Sequence, residues 1–285
     1  MLSITRLYPF FSGCGTIANH RLMKILLSDR SEELVWAQSV GGPLLVPLND
    51  YVGRAVFLFG DLDPKITWIL KRLLKPGDQA LDIGANFGLL TLVMSRLVGP
   101  QGVVHAFEPN PVLRDILDRT FERNQVQNVQ LHSIALGDSS GYLPLQVPPN
   151  NFGAASLVRK INQPKQTHTV SVVKLDDFIR DTKITNIAII KLDVEGFELH
   201  VLKGASSVLQ NFRPIIIYEN NDATNCAFDP VTHLLGSHKY RLLVIPRSLL
   251  LMKTKVVDSQ KVTSHDLVAV PQERFLEICS RLGAN

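Results

Sequence analysis

The chain has 285 residues, 45% of them hydrophobic and 20% charged, which is enough to bury a full core in one large domain, or a domain with a small appendage, and excludes a disordered chain. A formal charge of +4 on scattered Lys and Arg residues gives no indication of nucleic acid, and Cys14, Cys226 and Cys279, odd in number and far apart, make neither a disulfide framework nor a zinc site. No run approaches the roughly 20 apolar residues of a membrane span or ends in a leader cleavage site, so a soluble cytoplasmic protein in a reducing compartment is expected.

Taken in chain order, residues 17–27 allow a helix. Short β-like runs follow at Leu34 to Trp36, Leu44 to Val46 and Ala55 to Leu58, separated by the turn residues Gly41-Gly-Pro43 and Asn49-Asp50, so residues 1–60 read as a small β-rich N-terminal cap. Asp63-Pro64 is an N-cap and first-turn pair, and Ile66, Ile69, Leu70, Leu73 and Leu74 continue at helical spacing until Pro76-Gly77. Strands and helices then alternate: strand 79–83, helix 87–98, strand 102–108, helix 111–124 and strand 128–135. A β-rich insertion over 141–173 interrupts the series. Helix 175–181, strand 187–193, helix 197–209, strand 214–219, helix 229–237, strand 240–246, a last strand over 264–270 and a terminal helix carrying Phe275, Leu276, Cys279 and Leu282 complete it. Such alternation predicts an α/β fold with a parallel sheet covered by helices on both faces, spanning 61–285. Strand order is not derivable from it.

The most informative stretch is Ala80-Leu-Asp-Ile-Gly-Ala-Asn-Phe-Gly-Leu-Leu-Thr91, where an acid, two glycines and an Asn stand between an apolar strand and an apolar helix. In a parallel sheet this turn lies at the carboxyl end of the strand, where Gly lets backbone approach a ligand and the helix start offers free N–H groups. The Gly84/Gly88 spacing departs from G-x-G-x-x-G, and the Asp82 carboxylate would repel a pyrophosphate, which disfavours a nicotinamide-dependent oxidoreductase. A carboxylate suits a cofactor that brings an ammonium group, as S-adenosylmethionine does. Glu108, closing the next strand, is placed to accept hydrogen bonds from ribose hydroxyls.

With those residues the chain resembles the FkbM-type methyltransferases, of the class I S-adenosylmethionine-dependent enzymes. The motifs are Leu81-Asp-Ile-Gly-Ala-Asn-Phe-Gly88, Ala106-Phe-Glu-Pro-Asn110, Ala135-Leu-Gly-Asp138, Leu175-Asp-Asp177, Lys191-Leu-Asp-Val-Glu-Gly-Phe-Glu198 and Leu202-Lys-Gly-Ala205, in order over residues 60–220. The resemblance implies a Rossmann-like, doubly wound, seven-stranded sheet with the last strand antiparallel, and methyl transfer to a hydroxyl on a sugar, glycan, polyketide or other small metabolite. Asp82, Gly84, Asn86 and Gly88 are expected at the methionine end of the cofactor and Glu108 at its ribose. The Ala135-Leu136 backbone, with Asp138, is expected at its adenine. No Asn/Asp-Pro-Pro-Tyr motif of amino-nitrogen methylation follows the fourth strand, which leans the reading toward oxygen. A macromolecular acceptor and an inactive cofactor-binding assembly subunit are the alternatives.

Further candidates stand at strand ends. Asp193 ends its strand at the ligand-binding face and is the candidate for positioning or deprotonating the acceptor, with Lys191 or Glu195 nearby. Lys191 reads equally as an ion-pair partner of an acid. Glu195 reads equally as a helix cap, and Glu198 as a structural one. Asp193 with Glu219 and Asn220 is similar to the magnesium-binding arrangement of catechol-type O-methyltransferases, so Mg2+ is a possible second cofactor. His105 and His132 are expected to pack or lie at an edge, His200 to be surface-exposed, and His168 is open. Residues 150–157 suit a lid, with Ser156 as its contact residue.

Overall fold

The computed structural model describes residues 13–27, 33–182, 184–220, 229–245, 255–256 and 266–284. Cys226 lies outside them, and Cys14 and Cys279 are buried free thiols. Two short helices, α1 (Cys14–Ala18) and α2 (Arg21–Leu26), stand where one was expected. The hairpin β1 (Leu34–Ser39) and β2 (Gly42–Pro47) follows, paired from Leu34 opposite Pro47 to Ser39 opposite Gly42.

Ala55 to Leu58, expected as a β-like run, belongs instead to helix α3 (Tyr51–Phe59). Asp50 caps that helix by accepting the N–H groups of Val52 at 2.7 Å and Gly53 at 3.1 Å, and Gly60 ends it at φ 78°. Val52, Ala55 and Val56 then fall on one buried face at helical spacing, so capping and periodicity outweigh the β propensity of the Val-Phe-Leu run. Helix α4 (Pro64–Leu73) begins on Asp63 as expected and leads into the main sheet.

The main sheet contains β3 (Gln79–Ile83), β4 (Val103–Phe107), β5 (Val129–His132), β9 (Ile189–Leu192), β10 (Ile215–Glu219), β11 (Tyr240–Val244), β12 (Lys255–Val256) and β13 (Asp266–Pro271). Its order is β12-β11-β13-β10-β9-β3-β4-β5. Strands β5, β4, β3, β9 and β10 pair in parallel, and β13 runs antiparallel between β10 and β11. Seven strands therefore follow the expected layout, and the two-residue β12 extends one edge.

Helices α5 (Leu89–Val98), α6 (Pro111–Arg123), α7 (Leu175–Thr182), α8 (Glu198–Lys203), α9 (Ser206–Asn211), α10 (Pro230–Ser237) and α11 (Phe275–Leu282) cover the sheet. The helix expected over 197–209 is two, α8 and α9. The break falls at Gly204, whose α-carbon abuts Gly137, so that an added Cβ would stand 1.9 Å from the Gly137 carbonyl oxygen. The insertion contributes a separate sheet of β6 (Ala135–Leu136), β8 (Gln166–Val173) and β7 (Gly141–Val147). One apolar core includes Leu81, Ile83, Leu192, Ile216 and Tyr218, and a second on the opposite face includes Ala80, Met94, Val104, Ile189 and Val268. A third joins Leu44, Val46 and Val56 of the hairpin region to Phe87, Leu92 and Phe121, so the N-terminal segment shares its core with the sheet domain.

His105 and His132 pack as expected. Their rings stack at 5.5 Å, with Nδ1 of His105 3.2 Å from Nε2 of His132. Burial, with His132 alongside, pushes the His105 imidazole down to about 4. Between pH 6.5 and 4 the unfolded chain therefore binds a proton that the folded chain does not, and stability is lost as pH falls. Urea unfolding of wild type should show up to about 3 kcal/mol of this loss over that window. His105→Gln should show a visibly flatter slope; identical slopes would mean that His105 titrates normally.

Candidate active site

The turn after β3 is held from three sides. Gly84, Asn86 and Gly88 all have positive φ, at 82°, 51° and 84°. At Gly84 the close approach is to protein rather than to a ligand, because a Cβ there would stand 1.9 Å from the backbone oxygen of Asp193. The turns after β3 and β9 thus touch backbone to backbone, and only glycine permits it.

Asp82 stands outside the linings of both cavities described below. Its carboxylate is fully buried, accepting the Thr91 hydroxyl at 2.6 Å and lying 3.3 Å from the Lys191 ammonium. Lys191 donates to the Gly84 carbonyl at 2.6 Å and stands 3.8 Å from Asp193. Burial alone would lower the Lys191 pKa, but Asp82, Asp193 and Glu108 outweigh it and hold it above the usual lysine range. The Asp82 carboxylate on one side and the Gly84 carbonyl on the other give Lys191 the geometry of an ion-pair and loop-positioning residue.

Glu108 is buried at the end of β4 and accepts the N–H of Asn86 at 2.8 Å and that of Asn110 at 2.9 Å. Burial pushes its carboxyl up to about 7 against those two bonds. It lines a cleft shared with Asn86, Phe107, Ala135, Leu136 and Phe197, largely apolar and suited to a flat ring beside a polar end. The Asn86 Oδ1 is buried without a hydrogen-bond partner among the described residues, an acceptor left for a ligand donor. Asp138 stands outside this lining, and its carboxylate takes a hydrogen bond of 2.7 Å with His200, whose ring stacks on Phe197.

Segment 150–157 reaches over the cleft, contributing Phe152, Gly153, Ala155 and Leu157 to its wall. The Ser156 hydroxyl faces inward as a staple, donating to the Glu195 carbonyl at 3.0 Å and accepting the Arg159 N–H at 3.0 Å. Arg159 also pairs with the Glu195 carboxylate. At the root of the segment, Phe152 N–H donates to Asp50 at 2.7 Å. Asp50 stands among turn residues in the sequence, and its partner Phe152 lies 102 positions away, beyond the reach of any local signal. His168 pairs locally with Gln166 at 3.0 Å, on β8.

Beside the cleft lies a second cavity of about 410 Å3. Asn86, Gly153, Asp193 and Glu195 line both. Glu195 holds a positive φ of 56°, and Glu198 accepts the N–H groups of Val194 at 3.1 Å and Gly196 at 3.2 Å, a structural cap. The second cavity also takes in Lys65, Glu219 and Asp266. Asp193 and Glu219 do converge there, but the expected magnesium set is not carried by the geometry. Among the described residues no group of three or more His, Cys, Asp or Glu side chains is arranged to hold a metal ion. The Lys191 and Lys65 ammonium groups already stand beside Asp193 and Asp266.

The methyltransferase FkbM domain model matches residues 82–242, more than half of the chain. The chain belongs to the FkbM methyltransferase domain family. Among its relatives is Methyltransferase 1 of Beauveria bassiana, 34% identical over 148 residues, with 45% of this chain and 59% of that protein covered. The hexuronic acid methyltransferase AglP of Haloferax volcanii is 26% identical, covering 70% of this chain and 83% of that one. The 31-O-demethyl-FK506 methyltransferase FkbM of Streptomyces tacrolimicus is also 26% identical, covering 67% and 84%. This FkbM-family chain thus spans about three-fifths of the length of the Beauveria relative. A solved FkbM methyltransferase from Methylobacillus flagellatus superposes with a TM-score of 0.44 at 16% identity over 77% of this chain and 53% of that one. No helix among the described residues is long and apolar enough to cross a membrane.

Proposed function

We propose that the protein is an S-adenosylmethionine-dependent methyltransferase acting on a hydroxyl of a small metabolite or glycan. The observation that carries this reading is the position of Asp193, half-exposed on the rim shared by the cleft and the second cavity. Bound in the cleft, S-adenosylmethionine supplies a methyl group activated by its sulfonium centre.

The chain's own residues divide the remaining work. Glu108 would hold the ribose, and the Ala135-Leu136 wall would flank the adenine. Asn86, with its spare Oδ1, would take the ammonium end. Asp82 acts from beneath, through Lys191 and the Gly84 carbonyl. Asp193 would align the acceptor hydroxyl and take its proton as the C–S bond breaks and the C–O bond forms, the electron pair of the broken bond remaining on sulfur. The names of relatives acting on a hexuronic acid and on an FK506 precursor support a small hydroxylated acceptor. Magnesium has no step in this scheme, so activity should be unchanged after dialysis against chelator; loss of activity restored by magnesium would bring the metal back.

Methyl incorporation from labelled cofactor into fractionated metabolites and glycans tests the function, and calorimetry tests the cleft. Glu108→Ala should weaken S-adenosylmethionine binding about tenfold to a hundredfold, the scale of lost hydrogen bonds to a charged group. The same change strands the Asn86 and Asn110 N–H groups, so a stability loss of about 1–3 kcal/mol should accompany it. Unchanged affinity would remove Glu108 from the cofactor site.

A further inference from the structure

The lid meets the turn after β3 at its root. Gly153 lines both cavities, and a Cβ built on it would stand 2.5 Å from the Asn86 side-chain nitrogen and 3.4 Å from Cγ2 of Val52. Gly153 has no positive φ, so glycine serves there for space alone. Next to it, the Phe152 ring stands edge-on to Phe87, with centroids 6.3 Å apart. The root of the lid is thus seated on the Asn86-Phe87 pair itself.

Asp50 holds that seat from the N-terminal segment. It is fully buried, and its two carboxylate oxygens divide the work: Oδ1 accepts the Val52 and Gly53 N–H groups that begin α3, while Oδ2 accepts the Phe152 N–H at 2.7 Å. Tyr51 adds a second tie, its N–H donating to the Asn150 carbonyl at 3.1 Å. The far end of the segment has its own anchor in the Ser156 hydroxyl on the Glu195 carbonyl, so these two ties locate the root. Resting on the methyltransferase reading above, we propose that Asp50 is a positioning residue for the cofactor, acting through Phe152 and Gly153 to hold the Asn86 carboxamide, with its spare Oδ1, where it takes the ammonium end. Asp50 itself touches no cofactor atom. Loosening the root, or filling the space at Gly153 with a methyl group, displaces the carboxamide and lowers cofactor affinity.

The test is calorimetric titration with S-adenosylhomocysteine of wild type, Asp50→Asn, Gly153→Ala, Asn86→Gly and the double variant Asp50→Asn with Asn86→Gly. Asn caps a helix as well as Asp does, so Asp50→Asn keeps an oxygen for α3 but turns an N–H donor toward Phe152. Where that variant does not fold, Asp50→Ser, which caps with one oxygen and has none for Phe152, takes its place. Asn86→Gly removes the side chain at a positive φ that glycine accepts. Each single variant is expected to lose about tenfold in affinity, the scale of one hydrogen bond to a charged group. The double variant should lose no more than Asn86→Gly alone, because Asp50 then has nothing left to position. A merely structural Asp50 would cost the same in both backgrounds. Such additivity, or wild-type affinity in the Asp50 variant or in Gly153→Ala, would overturn the proposal. A wild type that does not bind S-adenosylhomocysteine would instead strike the functional reading. The NMR signal of the Asn86 side-chain amide, identified by its absence from Asn86→Gly, would still decide the positioning: it should move in the Asp50 variant and in Gly153→Ala, and an unmoved signal would overturn it.

Discussion

Asp193→Asn is expected to keep S-adenosylmethionine affinity within a few fold while turnover of a confirmed acceptor falls by roughly 10²–10⁴, the range for a lost proton-transfer group. Affinity should persist because the contact between Asp193 and the turn after β3 is made by backbone. Its N–H donates to the Ile83 carbonyl at 3.1 Å, and its own carbonyl is the atom that Gly84 abuts. The side chain lies beyond that contact, on the rim of both cavities. Calorimetry and a single-turnover methyl-transfer assay separate the two effects. A variant with wild-type turnover would reduce Asp193 to a structural residue and direct the search for a base to Glu195.

Lys191→Met should lower folding stability by about 3–5 kcal/mol, because it leaves a fully buried Asp82 carboxylate without its cation. It also removes the ammonium that fixes the Gly84 carbonyl, so cofactor binding should weaken along with stability. Replacing both partners, Asp82→Asn with Lys191→Met, should cost much less than the two single changes added together. Urea unfolding of the four proteins measures the coupling, and additive losses would mean that the pair contributes nothing as a pair. A lysine acting as a base would behave differently. Its removal would lower turnover with little change in stability.

The elements of the sheet domain were legible because their signals are local. Pro111 to Arg123 forms the helix expected over 111–124, with Leu113, Ile116, Leu117 and Phe121 at helical spacing on its buried face. The glycine turn between β3 and α5 and the acid at the end of the next strand were legible too, and the structure joins them through the Asn86 N–H, which donates to Glu108 at 2.8 Å. The run from Ala55 to Leu58 was misread because a four-residue apolar run has no period of its own. The Asp50 cap decides it, and Asn49-Asp50 suits a turn as well as a helix start.

The sequence by itself determined the alternation of strands and helices, the glycine turn and the acids at strand ends, and with them the family. Each of these depends on neighbours within a few positions, which periodicity and capping report. Tertiary structure alone decided what the buried charges do. Asp82 meets Lys191 across adjacent strands, 109 positions apart, and becomes a support under the loop rather than an open carboxylate. Asp138 turns to His200, Ser156 staples Glu195, and Asp266 comes beside Lys65 from the other end of the chain. Strand order brings these groups together, and a charge buried in a fold answers to whatever stands within a few ångströms of it, not to its neighbours in sequence.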